Sequence, residues 1–258
     1  MGLLDIFGKG PLSDKRIDKI AKLAANPFAQ PDVRMKEMQR LLGEQTPAAL
    51  RGVLKRFAAN ASGAIADEDE KQWLEDALVD VGEAAIEPLR AYIGAETQLT
   101  YALRAYRRIA GDAEAVRFFI SVLQHYGPDD YRSGDAKVQL MLQLAEDLAD
   151  PRVLPALVDF LVDHNDEVRW AAMDLLDRAA DRGQLDAATR DKACVKLATL
   201  VLDDDVGPRI QVRACEIFAS REWQVAGAQE ELAAFLGDAY FLDKKRYVRR
   251  RAKVAKKD

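Results

Sequence analysis

Residues 150–179, DPRVLPALVDFLVDHNDEVRWAAMDLLDRA, decide the fold, because they hold two apolar segments joined by a short polar turn. The apolar residues of the second segment fall at i, i+4, i+7, i+8 and i+11, the spacing of one helix face. They are Val168, Ala172, Leu175, Leu176 and Ala179. Asp166 stands before them as a candidate N-cap. The stretch therefore predicts two helices packed as an antiparallel pair.

The same periodicity runs from residue 14 to about residue 238 and predicts a succession of such pairs. First helices are expected at roughly 14–26, 46–60, 84–94, 112–126, 151–163, 187–202 and 226–237. Second helices are expected at roughly 32–43, 69–82, 97–110, 135–149, 166–181 and 208–220. No convincing alternating strand pattern is found. Pairs that recur about every 30–45 residues are typical of a solenoid.

The stretch 150–179 also resembles a HEAT repeat. The residues that carry the resemblance are Pro155, Leu157, Val168, Arg169, Ala171, Ala172 and Leu175. In that family, an Asp before the turn and an Arg six positions later form a ladder along the stack, and Asp163 and Arg169 have this spacing. Val212-Arg213 resembles the start of another second helix, which makes Arg213 a further candidate for the ladder, although the acids before it lie further back, at 203–205.

Periodicity and resemblance together predict an all-α protein, a right-handed α-solenoid of about six to seven antiparallel HEAT-like helix pairs. The repeat domain is expected to span residues 14–243. A flexible N-terminal segment, 1–13, precedes it, and a basic C-terminal segment, 244–258, follows it. HEAT arrays serve as scaffolds, adaptors and, more rarely, enzymes, so the resemblance implies more about fold than about function.

Charge divides unevenly between the chain's body and its end. Residues 244–258 hold nine Lys or Arg against Asp258, a net charge of +8, whereas the other residues carry −13. This end, which includes Arg249, Arg250 and Arg251, has three interpretations. It can be a solvated disordered tail, it can cap the last repeat as a helix, or it can engage nucleic acid, an anionic membrane surface or an acidic protein.

Two surfaces are candidates for partner binding. Tyr101, Arg104, Arg107 and Arg108 share a polar helix face, and they are expected to form either an anion- or partner-binding ridge or ion pairs with acids of the next repeat. Trp170 turns away from the apolar face of its helix, so it is a candidate hot spot for a protein partner.

Other residue types predict little chemistry. The two cysteines, Cys194 and Cys215, fall within apolar helical patterns and are expected to be buried and reduced. Acidic clusters at 67–70, 129–130, 163–166 and 203–205 are expected in turns, where helix N-termini favour negative charge. No spacing typical of metal ligands, phosphate loops or dinucleotide sites occurs, so neither a metal nor a cofactor is expected. With no apolar run long enough to span a membrane, the expected location is the cytoplasm.

The sequence thus favours a non-enzymatic scaffold or adaptor that binds a protein partner, of unknown identity, through the concave face or an edge of the array. One alternative is a HEAT-like DNA glycosylase or other nucleic-acid repair protein. In such an enzyme Trp73, with Asp76 or Asp80, would lie beside the arginine ridge, but an acidic body repels phosphate. A HEAT-type lyase or chaperone is the other alternative, with no residue to support it.

Overall fold

The computed structural model describes residues 12–225 and 229–252, and 71% of the structure is helical. The chain forms two compact units, divided after Val122. The helices of unit 1 are α1 Asp14–Ala24, α2 Pro31–Glu44, α3 Pro47–Ala58, α4 Ala64–Val81, α5 Ile86–Ile93 and α6 Thr100–Ala110. Helix α7, Asp112–Tyr126, spans the division. Those of unit 2 are α8 Gly134–Leu144, α9 Val153–Val158, α10 Asp166–Asp181, α11 Ala187–Leu202, α12 Pro208–Arg221 and α13 Gln229–Phe235.

Unit 1 packs its helices in two layers. First helices lie side by side, with α1 against α3 and α3 against α5, while α4 joins α2 to α6 in the second layer. Sequence explains the helix starts: Pro47 occupies the first turn of α3, and the Thr46 hydroxyl caps it by accepting from the Ala49 N–H. The layers meet over an aliphatic core that includes Met38, Leu50 and Leu74.

Unit 2 repeats this arrangement. Helix α10 packs between α8 and α12, and α11 packs on α9 and α13. The predicted apolar face of α10 is buried, which confirms the pattern in residues 150–179. Its N-cap is Asn165 rather than Asp166, because the Asn165 side chain accepts from the N–H groups of Glu167 and Val168. Short 3₁₀ segments lie at Gly82–Ala85 in unit 1 and at Tyr131–Ser133 and Asp159–Val162 in unit 2.

The start of the basic C-terminal segment forms the second strand of a β-hairpin, where a helix was one of the predictions, and the first strand comes from the end of the predicted repeat domain. Strand β1, Tyr240–Leu242, pairs antiparallel with β2, Val248–Arg250. Val248 is buried, and β2 contacts α12 while β1 contacts α13, so the hairpin covers the end of unit 2. Arg246 closes the turn with a left-handed φ of 72°, a region that favours glycine. Its guanidinium donates a hydrogen bond to the Val225 carbonyl (2.7 Å), an interaction that a glycine at this position could not make.

The structure confirms the predicted all-helical character of the body, apart from this hairpin. Helices α10 and α11 have the predicted bounds, whereas α4 begins five residues earlier than expected, at Ala64. The acidic cluster 67–70 therefore lies inside α4 instead of in a turn. Residues 1–11 and 253–258, which include most of the expected N-terminal segment and the end of the basic segment, lie outside the described residues.

Candidate functional site

Helix α10 presents Trp170 on the side opposite its buried face. The side chain is half-buried, and two guanidiniums of α12 lie over the indole ring. Arg209 stands 4.3 Å from the ring centroid and Arg213 5.7 Å from it. Stacked Arg and Trp side chains combine apolar area with positive charge and donor groups. We call Trp170, Arg209 and Arg213 the tryptophan surface.

An ion-pair lattice continues from this surface along the two helices. Asp177 of α10 accepts from Arg213 (2.9 Å) and from Arg221 (2.6 Å) of α12, and Arg221 also donates to Asp181 (2.7 Å). The hydrogen bond from Arg221 lowers the pKa of Asp181. An open cavity of about 560 Å³ lies over Asp177, Arg213 and Arg221, with β2 as its further wall.

The arginines of the basic segment contact residues of unit 2. Arg249 donates to Glu222 (2.7 Å) and to Asp243 (3.2 Å). Arg250 reaches Glu216 (3.2 Å), and Arg251 donates to the Tyr240 carbonyl (3.1 Å). These contacts attach the segment to the body as a capping hairpin, one of the roles that the sequence left open, although in a different secondary structure.

The predicted ridge on α6 is engaged with α4. Arg104 donates to Glu75 (2.8 Å), and Arg108 donates to Glu75 (3.0 Å) and Asp76 (2.6 Å). Arg107 lies near Asp112, with a 3.3 Å contact. These arginines are therefore ion-paired, but Arg104 and Arg108 pair with acids of the preceding second helix, whereas Arg107 contacts Asp112 at the start of the next pair. Their role in binding a partner stays a prediction.

Tyr101 lies at the edge of this helix face. Its ring stacks on Phe57, with ring centroids 5.5 Å apart, and the Arg104 guanidinium lies 4.9 Å from the centroid of the same ring. Burial, together with a hydrogen bond to Glu68, raises the pKa of Tyr101, so the phenol keeps its proton. Tyr101 therefore packs within unit 1, where its ring contacts Phe57 and Arg104.

A buried charge network in unit 1 was not predicted. Glu70 accepts from Arg34 (2.6 and 2.9 Å) and from Arg56 (3.0 and 3.1 Å), and Arg56 also donates to Asp67 (2.6 Å). Lys71 completes it by pairing with Asp67 (2.7 Å). Burial raises the pKa of Asp67, but hydrogen bonds from Lys71, a backbone N–H and Arg56 outweigh it and lower that pKa to about 2. The signal for this network in the sequence was the acidic run at 67–70. Such a run is also usual at solvent-exposed helix N-termini, which is how it was interpreted.

The predicted Asp163–Arg169 ladder has different partners. Asp163 accepts from Lys137 Nζ (2.7 Å), and both side chains are fully buried. Arg169 instead pairs with Asp166 in its own helix (2.8 Å). Arg213 pairs with Asp177, a residue of the second helix before it. Lys137 lies near the start of α8 as Arg169 does in α10, so the cation that reaches Asp163 comes from the preceding pair.

Residues suggested for a DNA glycosylase lie on α4. Asp76 pairs with Arg108, and this hydrogen bond lowers the pKa of Asp76. Asp80 is exposed, and Trp73 is half-buried. A glycosylase that used Asp76 would need its carboxylate to act on a substrate, but this carboxylate is engaged by Arg108.

Both cysteines are free and buried, as the sequence predicts. Burial raises the pKa of Cys194 and of Cys215 to about 11, which keeps the thiols protonated at neutral pH. Within residues 12–225 and 229–252 there is no group of three or more His, Cys, Asp or Glu side chains placed to hold a metal ion.

No helix in the described part of the chain is both long enough and apolar enough to cross a bilayer. The comparisons with known proteins give no family: no protein-family model matches the chain, and no curated protein matches it. An assignment of function therefore rests on the surfaces described above.

Proposed function

We propose that the protein is a non-enzymatic scaffold or adaptor that binds a protein partner through the tryptophan surface of unit 2. The observation that carries the proposal is the position of Trp170 beneath Arg209 and Arg213 on an outward helix face. Trp and Arg are the residues most enriched among binding hot spots, where they fill pockets and lose water on association. The proposal keeps the predicted HEAT-like, right-handed solenoid as its framework.

The surroundings of Trp170 fit a peptide-binding role. Acids of α10 and arginines of α12 form rows beside the indole, and the open cavity next to them continues to β2. The ion pairs hold each charged group at a fixed position. A guanidinium or carboxylate has more donor or acceptor sites than one ion pair uses, so the remaining sites can bind a partner. A partner segment lying along this face would place an apolar side chain against Trp170 and polar groups along the rows.

A photo-crosslinking amino acid placed at position 167, one turn before Trp170 on the same helix, tests the proposal in the native cell, because Glu167 is exposed and Trp170 is kept intact. We expect a protein crosslinked from position 167 and little from Leu142, an exposed control residue on α8. The crosslinked protein, once purified, is expected to lose about 10-fold or more in affinity for Trp170→Ala, the loss typical of a hot spot. The Leu142→Ala variant serves as the matched control.

Two results would contradict this proposal. One is a crosslinked protein that binds Trp170→Ala as tightly as the unmodified chain. The other is recovery of nucleic acid alone, released at moderate salt, which would favour the nucleic-acid alternative because phosphate contacts weaken steeply with salt.

A further inference from the structure

Unit 1 exposes two large apolar side chains at the turns within its helix pairs. Phe28, between α1 and α2, is 93% exposed, and Ile65, in the first turn of α4, is 81% exposed. Residues 25–31 and 57–66, which carry them, contain no charged side chain in a chain that is 31% charged. We call this surface, Phe28 and Ile65 with their connectors, the apolar tip.

The buried charge network holds both connectors of the apolar tip. Arg34, which pairs with Glu70, also donates to the Ala29 carbonyl, next to Phe28. Arg56, which shares Glu70, donates to the Ala59 carbonyl at 2.7 Å. One carboxylate thus links the cations that fix the two turns, so Phe28 and Ile65 are presented from neighbouring, anchored segments instead of loose loops.

Exposed acidic side chains adjoin the apolar tip in sequence. Asp32, Glu68 and Asp69 are exposed next to the two connectors, whereas the cations that contact the connectors, Arg34, Arg56 and Lys71, are buried. An anionic lipid surface would repel such a rim. A partner that buries Phe28 and Ile65 should therefore offer an apolar hollow with positive charge at its margin.

Unit 2 of the same chain has a hollow of this kind. A cavity of about 680 Å³ opens between α12 and the hairpin. The side chains that decide its chemistry are the apolar Val212, Ala239 and Ala252, the cations Arg250 and Arg251, and Asp238. Val212 is 47% exposed within it. Arg250, which also pairs with Glu216 (3.2 Å), and Arg251 are exposed beside it, and the lining itself carries two positive charges and one negative.

We propose that the chain self-associates head to tail, with the apolar tip of one copy in the arginine-rimmed cavity of a second copy. The chemistry of the two surfaces is complementary: an exposed apolar tip beside acidic side chains meets an apolar hollow beside basic ones. Because the two surfaces differ, the contact is heterologous and adds copies until a ring closes or an open chain grows. It does not use Trp170, Arg209 or Arg213, although Arg250 also lines the cavity beside the tryptophan surface.

Sedimentation velocity of the purified full chain, from micromolar to near-millimolar concentration, tests self-association. We expect the sedimentation coefficient to rise with concentration. The variants Phe28→Ser/Ile65→Ser and Arg250→Glu/Arg251→Glu are each expected to remain monomeric. Leu142→Ser, which removes an exposed apolar side chain elsewhere, is expected to associate like the unmodified chain.

An equimolar mixture of the two deficient variants separates head-to-tail contact from other modes. Each retains the surface that the other lacks, so the mixture is expected to form a dimer and nothing larger. Circular dichroism checks that each variant is folded. If Arg250→Glu/Arg251→Glu is unfolded, Val212→Lys blocks the same cavity from α12. A monomer at every concentration of the unmodified chain, or a mixture that forms no dimer, overturns the proposal.

Discussion

The buried pair of Lys137 and Asp163 is the residue-scale contact with the largest expected effect on stability. Both side chains are fully buried, and Lys137 Nζ also donates to the Asp130 carbonyl (2.6 Å). The variant Lys137→Met leaves the Asp163 carboxylate buried without its cation. We expect the free energy of unfolding, measured by urea denaturation, to fall by about 3–5 kcal/mol.

Two further variants show whether the loss of stability comes from the unpaired buried carboxylate. Lys196→Met removes a cation from a surface pair with Asp159 and is expected to change stability by about 1 kcal/mol or less. The double variant Lys137→Met/Asp163→Asn removes the uncompensated charge and is expected to regain part of the loss. A loss for Lys137→Met no larger than that for Lys196→Met would show that the buried charge is tolerated.

Asp67 makes the stability of unit 1 depend on pH. Its pKa is about 2 in the folded protein against 3.8 when unperturbed, so the unfolded chain binds the proton more readily. The stabilisation is therefore complete above about pH 4 and is lost as the pH falls towards 2, and it amounts to about 2 kcal/mol. Urea denaturation at a series of pH values measures it.

The matched variant for this prediction is Asp67→Asn. It keeps the size of the side chain but has no carboxylate to titrate, so we expect a smaller decrease in stability between pH 4 and pH 2. Glu70, whose pKa is also lowered, accounts for part of the remaining slope. An unchanged slope in Asp67→Asn would show that other carboxylates carry the acid sensitivity.

At the scale of elements, the hairpin β1–β2 is expected to stabilise the end of unit 2. Val248, the first residue of β2, is 1% exposed, and its strand packs against α12. Shortening it in Val248→Ala leaves a space in this small core, and we expect a loss of about 1–3 kcal/mol. Thermal denaturation followed by circular dichroism measures the change. Val195→Ala, on the exposed side of α11, is the control and is expected to have little effect.

Sequence predicted the helices well wherever an apolar face repeats over several turns, as in α10 and α11. It placed the start of α4 too late because carboxylates at 67–70 are usual both in turns and in first helical turns. Whether they face solvent or a buried arginine depends on Arg34 and Arg56, which are distant in sequence.

The hairpin was missed for a related reason. Val248, Ala252 and Ala255 are spaced as on a helix, and the window is too short for periodicity alone to exclude a strand. Pairing of β2 with β1 depends on contacts with α12 and on a turn closed by Arg246, where a glycine would have been the recognisable signal.

Trp170 was the part of the candidate site that could be predicted. A single helical wheel determines that it faces away from the core, and the structure places it half-buried on that side. Its stacking partners could not be predicted, because Arg209 and Arg213 come from the next second helix and their approach depends on packing between helices.

At the scale of the whole molecule, charge separates the adaptor from the DNA-enzyme alternative. Residues 1–243 carry −13, and arginines of the basic segment pair with acids of unit 2. We expect no saturable binding of a labelled duplex, with or without an alkylated base, at about micromolar concentration and physiological salt. Fluorescence anisotropy measures this. Binding that is lost in Trp73→Ala would instead favour a glycosylase.

The buried pair of Lys137 and Asp163 also bears on how similar helix pairs avoid exchanging places during folding. The buried faces of both units consist mainly of Leu, Ala, Val and Ile, so a helix docked one pair out of register would still bury apolar surface. Such a misdocked helix would leave an ammonium or a carboxylate alone in a dry interior, which costs several kcal/mol. The free energy of a misdocked arrangement is thereby raised by more than the ion pair lowers that of the native one. The two buried charges therefore select the one arrangement of the chain in which they meet.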